Sequence, residues 1–171
     1  ASELVRQRSE AGEDRQPCVR WPGVEMRRYR DLLYAMPPLQ LPPPDWQAQF
    51  DGSDLRLPLD LGVLRLRGAL PQARLATPLK VRFRRGGESL RLSGDGTTRE
   101  LRDLLQESGM PPWQRARLPL LFDADNRLLA VADLYLSEAA SALLPSRTAG
   151  IEWDTAAASG SAAPRAPNCS C

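Results

Sequence analysis

Apolar side chains recur among polar ones from Cys18 onward, in Cys18-Val-Arg-Trp21 and then Val24-Glu-Met-Arg-Arg-Tyr-Arg30. Pro22-Gly23 between them predicts strand, tight turn, strand. Arg30-Asp31 supplies a second turn before Leu32-Leu-Tyr-Ala-Met36. Pro37 and Pro38 end that run, and Pro42 to Pro44 predict a stiff linker of polyproline type. Beyond it Leu55, Leu57, Leu59 and Leu61 alternate with polar or proline residues, and Leu64 and Leu66 continue the period after Gly62. That pattern predicts a hairpin with one buried face. Leu79, Val81 and Phe83 alternate with Lys80, Arg82 and Arg84, and Leu90 and Leu92 resume after a Gly86-Gly87 turn.

One helix stands out. Thr97 followed by Glu100 is a capping-box signature, and Leu101, Leu104, Leu105 and Ser108 fall on one face at helical spacing. The helix is expected from about Thr98 to Ser108, with Gly109 in the left-handed terminal position and Pro111 as the stop. Arg117 to Phe122 and Arg127 to Ser137 read as strands around an Asp123-Ala-Asp-Asn126 turn. Past about Ser141 the chain is rich in Ala, Ser and Pro; only Ile151-Glu-Trp153 offers a short edge strand, and disorder is expected elsewhere. Ala1 to Arg15 is polar and weakly helical, with only Leu4 and Val5 to bury. The predicted class is α+β, mostly antiparallel β with one main helix. The parts are 1–37, a Pro-rich linker 38–45, a main domain 46–140 and a mostly disordered tail 141–171.

The net charge of +2 over 171 residues selects no partner, but its distribution is uneven. Leu79 to Pro119 holds nine Lys plus Arg against five Asp plus Glu; from Leu120 onward the balance is three against six. Such asymmetry suits a polyanion on one face, or a solvated mixed-charge surface. The chain has no His, which removes the commonest general base and metal ligand. Cys18 reads as a reduced core residue, while Cys169 and Cys171 are too close and isolated to make a metal site. No apolar run approaches eighteen residues, so a cytoplasmic setting is expected. Gly86-Gly87-Glu88 and Ser93-Gly-Asp-Gly-Thr97 lack the spacing of a phosphate-binding loop. No nucleophile has a visible base partner, so catalysis by this chain alone is not expected.

Four arginine groups are candidates for polyanion binding. Lys80, Arg82 and Arg84 share one strand face, with Arg85 at the turn and Arg91 on the return strand. Their alternative is neutralisation by Asp and Glu from a neighbouring strand, or simple exposure to water. Arg99 and Arg102 lie about 60° apart on the helix face away from the leucines, or pair with Asp103 or Glu107. In Pro111-Pro-Trp-Gln-Arg-Ala-Arg117, Arg115 and Arg117 project to one side, and Trp113 either stacks on a base or covers the core. Trp21, Arg27, Arg28, Tyr29 and Arg30 either grip RNA by stacking and charge or pack a linker onto a sheet.

The strings VRFRRGGESLRLSGDGTTRELRDLLQESGMPPWQRARLPLLFDADNRLLAVADLYLS and RWPGVEMRRYRDLLYAMPPL resemble the C-terminal part of bacterial tRNA(Ile)-lysidine synthetase. The first resembles its C-terminal domain; the second resembles the stretch joining that domain to the helical substrate-recognition domain. The family's Ser-Gly-Gly-x-Asp-Ser loop is not found in these residues, and the chain opens at Ala1. The resemblance therefore implies the non-catalytic, tRNA-holding half of a ligase. ATP and magnesium, and the free lysine joined to the wobble cytidine of isoleucine tRNA, would be handled by a catalytic domain outside these residues. It implies a layered β/β/α fold similar to one in the phenylalanyl-tRNA synthetase beta subunit. The family commonly shows a basic pair where this chain has Arg102 and Asp103, so only Arg102 carries that feature here. The tRNA-facing set expected on this basis is Arg82, Arg84, Arg85, Arg91, Arg102, Arg115 and Arg117, with Arg27, Arg28 and Arg30 as a further group. The rival expectation is a protein-interaction or structural β module.

Overall fold

A computed structural model describes residues 18–68, 72–92, 96–146 and 149–155; the expectations for Ala1 to Arg15 and for Cys169 and Cys171 lie outside them. The N-terminal unit is an antiparallel sheet of β1 (Cys18–Trp21), β2 (Val24–Tyr29) and β3 (Leu32–Met36). Its turns fall where the sequence placed them, with Gly23 at φ 79° and Arg30 at φ 53°. Glu25 and Tyr29 on one face are buried, whereas Trp21, Val24 and Leu33 are exposed. Cys18 is exposed rather than in a core, because β1 is an edge strand whose four residues are all exposed.

The remainder is organised around a five-stranded sheet: β4 (Gln47–Phe50), β7 (Leu79–Phe83), β10 (Pro119–Phe122), β11 (Leu128–Val131) and β12 (Tyr135–Leu136). Neighbouring strands in it pair antiparallel. One face packs on a second sheet of β5 (Leu55–Arg56), β6 (Val63–Arg67) and β13 (Gly150–Asp154). Phe50, Leu64, Val81, Leu121 and Ile151 meet between them. The other face carries α1 (Leu101–Glu107) and the short ribbon of β8 (Ser89–Arg91) and β9 (Thr98–Glu100). There Leu90, Leu101, Leu104, Leu105, Leu120 and Phe122 form a second core. Residues 120 to 122 alternate between the two cores as strand periodicity requires. The expected β/β/α layering and antiparallel character are present.

Four local expectations change. Thr98–Glu100 is strand, not the first helical turn, because it pairs with β8. Glu100 is the extended residue before α1 and makes no side-chain cap; the Leu101 amide donates instead to the Glu88 carbonyl at 2.8 Å. The predicted hairpin at Leu55 to Leu66 forms, with β5 antiparallel to β6, but a 3₁₀ turn, Pro58–Asp60, interrupts its alternation and puts Leu59 at an exposed tip with φ 55°. The strand from Arg127 divides into β11 and β12 at Ala132, whose φ is 46°. Ordered structure also continues beyond residue 140. Helix α3 (Glu138–Leu143) is capped by Ser137 Oγ, which accepts from the Ala140 amide at 3.0 Å. Strand β13, the edge strand expected at Ile151 to Trp153, pairs along β6, and Trp153 Nε1 donates to the Leu61 carbonyl at 2.7 Å.

Candidate nucleic-acid interface

Pro111 and Pro112 set the backbone for a one-turn helix, α2 (Pro112–Arg115), whose Trp113 is 4 % exposed. Trp113 is therefore a joint residue and not a stacking platform. It meets the rings of Tyr29 and Tyr34 edge-on at centroid distances of 6.1 and 5.3 Å, and the Arg27 guanidinium lies 5.4 Å from its ring centroid. Arg115, 7 % exposed, donates from Nε to the Met110 carbonyl at 2.6 Å and from Nη2 to Tyr29 Oη at 3.0 Å. Behind Arg27, buried Glu25 accepts from Arg27 Nε at 2.5 Å and Arg20 Nε at 3.3 Å. The Arg27 hydrogen bond holds the Glu25 carboxyl below its ordinary range, overcoming the opposing effect of burial.

Beside this joint is an open cleft of 430 Å³. Arg27, Arg84, Arg85 and Arg115 line it, with Leu41, Pro112, Trp113 and Ala116 as its apolar wall. Arg85 Nε donates to the Pro44 carbonyl at 3.1 Å. The Arg84 Nε is buried without a hydrogen-bond partner, 3.8 Å from Glu88 Oε2. The structure thus brings together in one cleft four arginines from three of the sequence groups.

Glu88 organises the turn that presents two of them. Its buried carboxylate accepts from Arg82 Nη1 at 3.0 Å, the Arg85 amide at 2.7 Å and the Gly86 amide at 3.0 Å. Burial acts to raise this carboxyl, but those hydrogen bonds prevail and hold it below the ordinary range. The role of Glu88 was not assigned from sequence, although an acidic residue after Gly-Gly was a signal for it.

Other expected site residues separate by environment. Arg82 is only 9 % exposed: its guanidinium sits 4.0 Å from the Phe122 ring centroid and pairs with Glu88. It does share a strand side with Lys80 and Arg84, but that side faces the helical layer, so Arg82 is a strut and not a ligand group. Arg117 is half-buried with an unpartnered Nε, and desolvation lowers its pKa from the ordinary arginine value. Arg91 and Arg102 are exposed on the ribbon and on the outer side of α1. Arg99 pairs with Glu107, as one alternative anticipated. Arg28 is exposed, donating to the Arg30 carbonyl, while Arg30 reaches the Gln106 carbonyl and ties β2 to α1. Among the described residues no group of three or more His, Cys, Asp or Glu could hold a metal ion. None of their helices is long and apolar enough to cross a membrane.

Residues 79–153 match the family model described as TilS substrate C-terminal domain, and residues 2–34 match the TilS substrate binding domain. The chain is thus similar to the C-terminal portion of tRNA(Ile)-lysidine synthases. It is 43% identical over 145 residues to the tRNA(Ile)-lysidine synthase of Xanthomonas axonopodis pv. citri, covering 84% of this chain and 32% of that protein. The Pseudomonas aeruginosa enzyme of the same name is 41% identical over 132 residues, covering 73% and 27%. The chain spans about a third of the length of the curated relatives it matches. A solved structure described as the TILS C-terminal domain covers 63% of this chain and 98% of its own length, at 23% identity and a TM-score of 0.45.

Proposed function

We propose that this chain is the tRNA-holding portion of a lysidine-forming ligase and does not itself catalyse. The observation that carries this reading is the arginine surface at the joint between the two regions that match substrate domains. In this reading the lysine, ATP and magnesium belong to a part of the enzyme outside these residues, and the setting is cytoplasmic. An A-form stem presents phosphates and 2′-hydroxyls across a wide, shallow minor groove, while its major groove is closed to side chains. Exposed Arg91 and Arg102 suit such a surface, since they require shape and charge but no base reading. Tethering a weak stem contact to a weak anticodon contact raises affinity through effective concentration.

The test is fluorescence anisotropy of the chain with isoleucine tRNA over a salt series. Binding should be weak and its logarithm should fall linearly with log salt. Calorimetry should show no saturable ATP binding. Salt-independent binding, or none, would contradict the reading. A protein-docking module is favoured by one feature, the exposed Trp21, Val24 and Leu33 on the outer face of the N-terminal sheet. That rival predicts partner binding that tRNA does not displace.

A further inference from the structure

Among the described residues the arginine cleft has a charge imbalance. Arg115 is 7 % exposed, and its hydrogen bonds go to a neutral carbonyl and a neutral phenol. Arg85 bonds a neutral carbonyl as well. The Arg84 guanidinium is 3.8 Å from Glu88, a carboxylate already engaged by Arg82 and two amides. Only Arg27 has a hydrogen-bonded carboxylate, Glu25, and neither Glu25 nor Glu88 lines the cleft. Holding the buried Arg115 guanidinium out of water without a counter-charge is costly, and partly exposed Arg84 and exposed Arg85 add positive charge beside it, so the cleft is prepared for an anion.

Its other wall says which kind. Leu41, Pro112, Trp113 and Ala116 are apolar, and 430 Å³ lies in the range of clefts that hold small organic groups. A bare phosphate would satisfy the arginines and leave that wall wet. A duplex keeps its bases stacked inside and carries its phosphates on a convex surface, whereas a concave cleft admits a splayed nucleotide. We infer that this cleft seats one unstacked nucleotide of single-stranded RNA. Its phosphate engages Arg84, Arg85 and Arg115, and its sugar or base lies on the Leu41–Pro112 side. The inference rests on the tRNA reading for its ligand class, and it separates two surfaces: Arg91 and Arg102 for duplex phosphates, the cleft for a single strand. Arg27 lines the cleft from the N-terminal sheet and Arg115 from the domain, so the bound nucleotide lies against both sides of the joint.

The test uses the full chain with a labelled single-stranded RNA oligonucleotide, a duplex of the same sequence, and AMP or inorganic phosphate as competitors. Arg115 is left intact because it holds the joint. Arg84→Gln with Arg85→Gln should weaken single-strand binding by about tenfold, as expected for losing charge-assisted hydrogen bonds. It should also lower the salt slope by roughly 0.7 for each phosphate no longer neutralised. Duplex binding should be nearly unchanged. Leu41→Glu, at an exposed linker position, should weaken the single strand selectively too, and AMP should compete better than phosphate. Equal losses for single strand and duplex, no loss in either variant, or equal competition by phosphate would overturn the inference. If tRNA binds with normal salt dependence while the single strand does not, the cleft inference falls and the tRNA reading stands. If neither binds, both fall.

Discussion

The N-terminal sheet and the five-stranded sheet cover their faces with opposite materials. The five-stranded sheet is sealed on both sides by leucine, valine and phenylalanine, and the arginine that enters it, Arg82, is fully engaged by Glu88 and the Phe122 ring. The N-terminal sheet meets the domain through Tyr29, Tyr34, Arg27 and Glu25, and leaves Trp21, Val24 and Leu33 uncovered. The difference teaches where functional charge can reside. In a two-sided core an unpaired guanidinium is intolerable, so arginine there becomes structural. At a joint packed by rings and long polar side chains, cations remain at the margin with incomplete counter-charge.

Substitutions can break that contrast. The largest effect is expected at fully buried Leu121 between the two sheets. Leu121→Ala should cost about 4 kcal/mol through lost burial and a residual cavity, read as one cooperative unfolding shift by chemical denaturation. Trp113→Ala should cost about 3 kcal/mol but act locally: hydrogen-exchange protection in β2 should fall well before that in β10. Uniform loss of protection would mean that the two regions unfold as one. Gly62→Ala tests the second sheet. Gly62 has φ 109°, and a Cβ there would lie 2.4 Å from the Asp154 carbonyl oxygen. A loss of about 2 kcal/mol from backbone strain, with fraying of β13, is expected.

The pH response should separate the regions further. Glu25 and Glu88 have folded pKa values below their ordinary 4.5. Each therefore contributes stability that is present above 4.5 and lost as pH falls through the folded value. With no histidine in the chain, stability and RNA affinity should be flat from about pH 6 to 8. Glu25→Gln should flatten the acid-induced loss of protection in β2 and leave β10 unaffected; an unchanged acid profile would remove Glu25 from the joint. The smallest effect is expected at exposed Arg102, where Ala should change stability by less than about 0.5 kcal/mol.

Much of this was legible in the sequence, for identifiable reasons. Period-two alternation marked β7, the Asp123 to Asn126 turn marked β10, and the leucines at 101, 104 and 105 face the core as helical spacing requires. Gly109 takes the left-handed conformation at φ 72° that ends α1. What alternation cannot say is what covers each side of a strand. Arg82 lies on the side predicted, yet a layer and a carboxylate cover it. Local spacing placed Arg115 among the tRNA-facing residues but says nothing of its second partner, Tyr29, 86 residues away. The Thr97 to Glu100 signature failed because non-local pairing with β8 took the backbone that a cap would have used. The cleft joins residues far apart in sequence, so it could not be read before the fold was known.

The central claim is that the arginines divide into struts and RNA-facing groups, and one paired measurement addresses it: thermal midpoint and tRNA salt slope for Arg82→Gln beside Arg91→Gln/Arg102→Gln. The account predicts that Arg82→Gln lowers the midpoint and leaves the salt slope of the folded protein unchanged. The double variant should keep its midpoint and flatten the slope by roughly 0.9 for each duplex phosphate that is no longer neutralised. A flattened slope in Arg82→Gln, or wild-type affinity and slope in the double variant, would contradict it.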